Sequence, residues 1–330
     1  KTHFEDCRIL MSGTPVRNYA GEIFPIANML DPFKFRNYKE FRDKYLDYTG
    51  KALYNPAQFH ADFAPYYLRR TTAEVLTMLP AIRNTKLYTQ ITDEALAKAY
   101  NRQLDVMTNL TRNGERLDTM SLLGYLQRLR HITGIAKSRE PAILEPIKDY
   151  LREGGPDGAP AKVLIGLHHH FVADSLAQAF KEFRVFSIRG GMDDIKKEQV
   201  KQEFIMCDAP ALCLLSIKAA GEGIDGLQAS CCRAYVFERQ WNGADELQFA
   251  KRLHRPGQQN VVTVEYTMGV GTIDEFYDDL VEYKRHITTQ VEDENYESNP
   301  AFLRELADRV IAAGHLPTSY QNVDELVEVA

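Results

Sequence analysis

The amino-acid sequence predicts an α/β fold in which helices cover both faces of a parallel sheet. After residue 160, short apolar runs alternate with segments of helix length, an order typical of a parallel sheet. Residues from 92 to about 152 show helical periodicity throughout. Between these regions, residues 153–160 contain three glycines and two prolines, which cannot hold a helix or a central strand. This stretch is therefore the predicted linker.

The elements expected after the linker follow a regular order. Strands are predicted at 162–167, 184–188, 211–217, 233–238 and 261–268, and helices at 171–183, 193–206 and 244–254. Upstream, residues 8–15 are typical of an apolar strand that ends in a tight turn, and residues 19–32 of a helical segment. Four parts are expected: 1–90, the end of one domain with a helical insertion; 91–155, a helical region and linker; 156–288, the α/β domain; and 289–330, a helical tail.

Composition limits the function classes without selecting one. The net charge of −6 over 330 residues excludes a global attraction to DNA, so any contact with nucleic acid has to be local. No apolar run approaches the roughly 18 residues that cross a bilayer, so no membrane partner is expected. Five cysteines without C-x-x-C spacing, and no signal peptide, favour a reducing intracellular compartment.

The most specific string is WNGADELQFAKRLHRPGQ, at 241–258. Asn242 can cap a helix on which Gln248, Arg252 and Arg255 follow at i, i+4 and i+7, on one face. Two guanidinium groups on one face suit a polyphosphate, because phosphoryl transfer spreads negative charge over oxygens that arginine neutralises. The alternative is a surface helix with two solvated arginines.

Three further segments combine a strand with a polar turn. LLSIKAAGEGID, at 214–225, is a buried strand that runs into a Gly-rich loop. KVLIGLHHH, at 162–170, and VFSIRGGM, at 185–192, have the same character, and LMSGTPVRN, at 10–18, holds a Ser-Gly-Thr-Pro turn. The three consecutive histidines raise a metal hypothesis, but their side chains point in different directions and no Asp, Glu or Cys stands at ligand spacing. No metal site is therefore predicted in this chain.

Together these segments resemble motifs III to VI of SWI/SNF-type DNA-dependent ATPases of helicase superfamily two, over roughly residues 5–288 and in the family's order. The paired histidines are similar to the annealing-helicase branch, and the HRPGQ form to bacterial or phage members. The resemblance implies a RecA-like second lobe at 156–288 and, within 1–90, a remnant of a first RecA-like lobe. The family commonly has Thr where this chain has Ile217.

The resemblance also implies roles for the residues that match its motifs. Arg252 and Arg255 would be catalytic arginine fingers; Gly223, Asp225 and Gln248 would lie at the bound ATP; Ser216, Lys218, Arg189 and Gly190 would contact DNA phosphates; and Ser12, Gly13 and Thr14 would couple the two sites. The expected partner is double-stranded DNA bound without sequence preference. The expected cofactor is ATP with Mg²⁺.

Two motifs of such a motor are missing from the sequence: a GxxxxGK[ST] phosphate loop and a DExH box for Mg²⁺. ATP and Mg²⁺ would then be held mainly by an upstream RecA-like lobe, supplied in cis or in trans, and the chain alone is expected to be inactive. The abrupt start at Lys1 is consistent with a fragment or a split product.

Two alternatives stay open. The chain could be a non-catalytic DNA-binding or assembly module with a protein partner, which its acidic balance favours. It could also be an RNA or restriction-type helicase, although the Trp-Asn and His-Arg-Pro-Gly-Gln strings belong to the SWI/SNF branch. The expected location is the cytoplasm or nucleoid for a bacterial or phage protein, and the nucleus for a eukaryotic one.

Overall fold

A computed structural model describes residues 8–112, 119–220, 224–292 and 314–316. The chain divides into two compact units: the first contains Lys1–Thr77, Trp241–Ala244 and Asp279–Leu303, and the second contains the remainder. Within the described residues, no helix is both long enough and apolar enough to cross a membrane.

The first unit is helical and is packed around aromatic side chains. Its described residues between 8 and 77 form α1 (Phe24–Leu30), α2 (Tyr38–Tyr45), α3 (Pro56–Phe63) and α4 (Thr72–Val75). Phe35, Phe41, Phe59 and Phe63 are buried together in its core. Asn37 and Asn55 begin their helices by accepting a hydrogen bond from a backbone N–H of the first turn, so local sequence fixes where α2 and α3 start.

The strand predicted at 8–15 does not form. Ile9 and Met11 are 78% and 91% exposed, and the described residues of this unit show one antiparallel bridge, Leu46–Leu53. A strand is held by hydrogen bonds to a neighbouring strand, so an apolar run without such a neighbour stays irregular.

The second unit contains a parallel sheet whose strands run in the order β1-β6-β5-β2-β4-β3. The strands are β1 (Ile82–Thr89), β2 (Lys162–Leu167), β3 (Arg184–Ile188), β4 (Ala211–Ser216), β5 (Arg233–Val236) and β6 (Val262–Gly269). Every neighbouring pair is parallel. The predicted α/β class and the five predicted strands after residue 160 are therefore confirmed.

Helices pack on both faces of this sheet. The helices after residue 90 are α5 (Glu94–Arg112), α6 (Thr119–Lys137), α7 (Pro141–Glu153), α8 (His170–Ala179), α9 (Asp194–Met206), α10 (Ile217–Ala220), α11 (Gly243–Ala250) and α12 (Ile273–Glu292). Of these, α9, α10 and α11 pack on one face of the sheet and α7 and α8 on the other, whereas α5, α6 and the first residues of α12 form a separate apolar cluster. The residues of α12 from Asp279 onward belong to the first unit. Alternate strand residues face opposite sides: Leu164 packs with Phe204 of α9, while Ile165 packs with Ile147 of α7. Each apolar side chain buried in this way stabilises the fold by roughly 1.5–3 kcal/mol.

Helix α6 is fixed to the sheet by a buried charge. Lys137 is fully buried, donates hydrogen bonds to the carbonyl oxygens of Phe237 and Thr267, and lies 2.6 Å from Asp274. Both carbonyls belong to the C-terminal ends of neighbouring strands or the residues just after them. The pair therefore holds the second half of α6 against that edge of the sheet.

Strand β1 is a feature that the sequence did not predict. Its residues are mostly exposed, because β1 pairs only with β6 at the edge of the sheet, and an edge strand needs few apolar side chains. It lies before the boundary expected at residue 90. The four-part division remains a prediction, and most of the tail expected at 289–330 lies outside the described residues.

Candidate functional site

Two turns of the second unit bring three of the predicted site residues together. We call residues 251–258 the arginine turn; it follows α11 and carries Arg252 and Arg255. Arg255 Nη1 donates to Asp225 Oδ1 at 2.7 Å, and Arg252 Nη1 donates to the carbonyl oxygen of Ile224 at 3.0 Å. Both arginines thus contact the segment that ends the predicted Gly-rich loop, about thirty residues earlier in the sequence.

The arginine turn is not helical, contrary to the prediction of one helical face. Helix α11 ends at Ala250, and the backbone N–H of Arg252 then bonds to the carbonyl of Phe249 in a tighter turn. Pro256 disfavours helical backbone at the residue before it, and Gly257 adopts a φ of 96°. Successive turns therefore bring Arg252 to the carbonyl of Ile224 and Arg255 to the carboxylate of Asp225.

The two guanidinium groups lie in different surroundings. Arg252 is 8% exposed, and burial, followed by the charge of Arg255, lowers its pKa from the ordinary value. The Arg255 side chain is 32% exposed and also donates Nε to the carbonyl of Lys251. Its hydrogen bond lowers the pKa of the Asp225 carboxyl, which stays ionised. Arg252 is thus a fixed cation, and Arg255 is a cation that an incoming anion can reach.

Gln258 is a residue of this site that the sequence did not single out. It is 6% exposed, and its Nε2 lies within 3.1 Å of the carbonyl oxygens of Gln228 and Cys231 and 3.3 Å from that of Leu253. The amide carries two hydrogens, so the three acceptors share them. Gln258 thereby joins the arginine turn to the turn that follows Asp225.

The other residues predicted at the nucleotide are less informative. Gln248 is half-buried on α11, two residues before the helix ends. Gly223 lies outside the described residues. No group of three or more His, Cys, Asp or Glu side chains in the described part of the chain could hold a metal ion. The donors present fit phosphate oxygens, because they are guanidinium groups, and they do not fit Mg²⁺, which prefers carboxylate and water oxygens.

The residues predicted to contact DNA lie at the ends of two neighbouring strands, β4 and β3, and β2 lies beside β4. β2, β4 and β3 are adjacent, with Leu167 opposite Ser216 and Ile188 opposite Leu215. In a parallel sheet these strand ends share one edge, so Ser216, Lys218 and Arg189 lie along it. The loop expected after β4 begins instead as the short helix α10, and Lys218 on it is exposed.

Two details of this edge differ from the expectation of free phosphate contacts. Arg189 Nη2 donates to Asp174 Oδ1 of α8, so a phosphate would have to replace an exposed ion pair. Gly191, with a φ of 79°, is the position that needs glycine, whereas a Cβ at Gly190 would meet nothing within 4 Å. Ile217 is buried and fills the space above Gly166, which explains an apolar side chain there.

The histidines form a turn held by one carboxylate, that of Glu238. In this histidine turn, residues 168–170, the backbone N–H groups of His168 and His169 each donate to Glu238 Oε2 at 2.9 Å. His169 Nδ1 lies 2.5 Å from Glu238 Oε1. Glu238 is 1% exposed, and burial raises its pKa, but the hydrogen bonds and charge of His169 and the charge of Arg130 together lower that pKa to about 2.

In the first unit, the Ser-Gly-Thr-Pro turn is present as a local structure. The backbone N–H of Thr14 donates to Ser12 Oγ at 3.1 Å, and both residues before Thr14 are exposed. Gly13 has open space around it, since an added Cβ would meet nothing within 4 Å. The carboxylate of Glu22 accepts hydrogen bonds from the backbone N–H groups of Arg17 and Asn18, which fixes the residues that follow this turn.

The parallel sheet, the arginine turn beside Asp225 and the polar residues along one sheet edge define an α/β domain of the helicase C-terminal class. Two family models support this: the SNF2-related domain matches residues 4–135, and the helicase conserved C-terminal domain matches residues 158–257. The chain therefore contains an SNF2-related domain followed by a helicase C-terminal domain, in agreement with the resemblance of its motifs to SWI/SNF-type ATPases.

Several known proteins are similar to the chain. A SWI/SNF-related matrix-associated actin-dependent regulator of chromatin subfamily A-like protein 1 homolog from Caenorhabditis elegans is 29% identical over 86% of this chain and 41% of its own length. The human DNA annealing helicase and endonuclease ZRANB3 is 25% identical over 85% of this chain and 26% of its own. The chain thus spans less than half the length of these relatives.

Solved structures agree on the fold. The Sulfolobus solfataricus SWI2/SNF2 ATPase core in complex with dsDNA has a TM-score of 0.54 and 21% identity, over 90% of this chain and 64% of that chain. The core domain of the same archaeal protein gives a TM-score of 0.52 at 22% identity, over 90% of this chain and 62% of that chain. At these identities the likeness concerns the fold alone.

Proposed function

We propose that this chain supplies arginine fingers and DNA-backbone contacts to an ATP-driven translocase on double-stranded DNA. The observation that supports this proposal is one polar cluster. In it, Arg252 and Arg255 of the arginine turn contact Ile224 and Asp225, the last residues of the predicted Gly-rich loop. ATP would be held mainly by another RecA-like lobe, because the sequence lacks a phosphate loop and a DExH box.

Arg255 would act by leaving Asp225 and binding the γ-phosphate of ATP instead. In the structure it is bonded to the exposed carboxylate of Asp225. A γ-phosphate presented by the opposite lobe carries more negative charge than one carboxylate, so it would draw the guanidinium away from Asp225. Arginine fingers of this kind accelerate phosphoryl transfer by about 10³–10⁵. Arg252, held at the Ile224 carbonyl, would supply a second positive charge that does not move.

DNA would run along the sheet edge formed by the ends of β2, β4 and β3. Lys218 is exposed there, and Arg189 is held in an ion pair that is itself exposed, so both can meet phosphates. Backbone contacts of this type carry no sequence information and weaken as salt is raised. A relative of the same fold is described in complex with dsDNA, which supports the choice of duplex.

A non-catalytic role as a DNA-binding or assembly module is the second candidate. The missing phosphate loop and the net charge of −6 favour it, because such a product could bind a protein partner without hydrolysing ATP. The two candidates differ in what happens when a first lobe is added.

Reconstitution separates them. The chain alone is expected to hydrolyse ATP negligibly with or without duplex DNA, and to support DNA-stimulated turnover once a first SWI/SNF lobe is added in cis or in trans. Mixing a first lobe with the Arg255→Ala chain should give no such turnover, whereas Arg184→Ala, an exposed arginine at the start of β3, should behave as wild type. Strong turnover by the chain alone, or none with any added lobe, would contradict the proposal.

A further inference from the structure

Three aromatic rings lie nearly parallel beside the histidine turn. The His131 ring of α6 is stacked on His169, with centroids 5.2 Å apart and an interplanar angle of 17°. It is also stacked on Phe171 of α8, at 5.5 Å and 22°. Phe171 is 67% exposed, although a large apolar side chain on a helix usually faces the core. The stack therefore ends in an aromatic surface open to solvent.

The rings are held in place by buried groups beneath them. His169 is bonded to Glu238, which also accepts both backbone N–H groups of the turn. Glu238 can approach α6 closely because residue 134 is glycine: a Cβ there would lie 3.1 Å from Glu238 Oε1 and 2.8 Å from Val172 Cγ2. Burial lowers the pKa of His131, so its ring is neutral at neutral pH and stacks as an uncharged aromatic. The aromatic surface is thus formed before any ligand arrives.

Charged side chains of both signs lie near this surface: Glu238 and Arg130 are buried, and Lys218 is exposed. Arg130, next to His131, and Lys218, on α10, both lie close enough to His168 for their charges to lower its pKa, after the larger effect of burial. Lys218 is exposed and follows β4, which is the strand next to β2. An exposed neutral ring near the exposed cation Lys218 suits a ligand with a flat aromatic face and a phosphate backbone.

We propose that Phe171 binds an unpaired nucleobase of a DNA strand whose phosphates follow the adjacent sheet edge. A paired base inside a duplex has both faces covered by its neighbours, so only an unpaired or terminal base can stack on Phe171. The chain would then bind single-stranded or junction DNA in addition to duplex backbone. This inference rests on the proposed DNA contact along that edge, but not on ATP hydrolysis.

The test measures binding of the 330-residue chain to a single-stranded oligonucleotide that carries 2-aminopurine, whose fluorescence is quenched when the base stacks. The wild-type chain should quench the probe. Phe171→Ala should remove the quenching and raise the Kd for the oligonucleotide by about 5- to 100-fold, while Phe171→Trp should retain both. Phe33→Ala serves as the matched control, because Phe33 is an exposed ring of the same kind, 94% accessible, in the first unit. A thermal melt would confirm that each variant is folded.

Binding to covalently closed duplex DNA separates base stacking on Phe171 from the phosphate contacts along the sheet edge. Phe171→Ala should bind it as wild type does, and Lys218→Ala should weaken binding to both the duplex and the single strand. Unchanged quenching and affinity in Phe171→Ala would overturn the base-stacking site, and so would an equal loss in Phe33→Ala. If Lys218→Ala bound every DNA normally while Phe171→Ala failed only on the single strand, the stacking site would stand and the proposed phosphate path would be wrong.

Discussion

The arginine turn and the histidine turn of the same α/β domain each contact a carboxylate from another segment, and the two carboxylates differ mainly in burial. Asp225, which contacts Arg255 of the arginine turn, is exposed, with a side chain that is 68% accessible. Glu238, which accepts three hydrogen bonds from the histidine turn, is 1% exposed. An exposed pair is worth little and exchanges partners readily, whereas a buried one is costly to break.

The difference indicates two roles. We expect the exposed Asp225–Arg255 pair to open for an incoming phosphate, and the buried Glu238 to hold the histidine turn in place. The four predictions that follow test this division between an exchangeable contact and a fixed one.

The largest effect on stability is expected from Glu238→Ala. It would leave the His168 and His169 N–H groups without their buried acceptor, and we expect a loss of roughly 3–5 kcal/mol in the free energy of unfolding. Asp225→Ala, which removes an exposed partner, should change that free energy by less than about 1 kcal/mol. Urea titrations of the two variants measure both values. Equal losses in the free energy of unfolding would show that burial does not make Glu238 more important for stability than Asp225.

Gln258→Glu should weaken the attachment of the arginine turn. The substitution keeps the shape of the side chain but replaces the donor that serves the carbonyl oxygens of Gln228, Cys231 and Leu253. We expect a loss of about 2 kcal/mol in stability and faster hydrogen exchange at residues 251–258. Gln259→Glu is the matched control, because Gln259 is exposed. Identical hydrogen exchange at residues 251–258 in the two variants would contradict a positioning role for Gln258.

Gly134→Ala tests the close approach of Glu238 to α6. An added Cβ would meet Val172 Cγ2 at 2.8 Å, and overpacking of this kind costs about 1–3 kcal/mol. On the same helix, Gly124 has nothing within 4 Å, so Gly124→Ala should be neutral or stabilising by up to about 1 kcal/mol. Thermal melts of the two variants at neutral pH should shift in opposite directions. A shift in the same direction would argue against a tight contact at residue 134.

A dependence of stability on acid is also expected. Burial lowers the pKa of His168 to about 4 in the folded chain, from an ordinary 6.5, so the unfolded chain binds the proton more readily. Stability should therefore fall as pH decreases from about 6.5 toward 4, and His168→Gln should reduce that decrease. Glu238, with its lowered pKa, contributes stability above pH 4.5 that is lost as pH falls toward 2. Melting temperatures across this range measure both windows.

The sequence predicted the central strands well because they are buried on both faces. All six residues of β2 are buried, and such runs stand out as apolar. β1 was missed because its edge position leaves polar side chains exposed, and residues 8–15 were expected to form a strand although nothing described pairs with them. A strand's neighbours cannot be read from its own residues.

The same limit applies to the site. The resemblance to motifs V and VI singled out Asp225, Arg252 and Arg255, which the fold brings into one cluster. Glu238 and Gln258 were not singled out, because their partners stand 69 and 27 residues away in the sequence, and no local pattern marks such pairs. The predicted helix extended to residue 254, whereas α11 ends at Ala250 and successive turns follow it.

The central claim is that Arg255 leaves Asp225 to neutralise charge on ATP held by another lobe. Its most direct test is the kcat of the reconstituted, DNA-stimulated motor with wild-type chain, Arg255→Ala and Asp225→Asn. The account predicts that Arg255→Ala lowers kcat by about 10³ or more, while duplex DNA binding is retained and Asp225→Asn has a much smaller effect. A kcat for Arg255→Ala within a few-fold of wild type would contradict it.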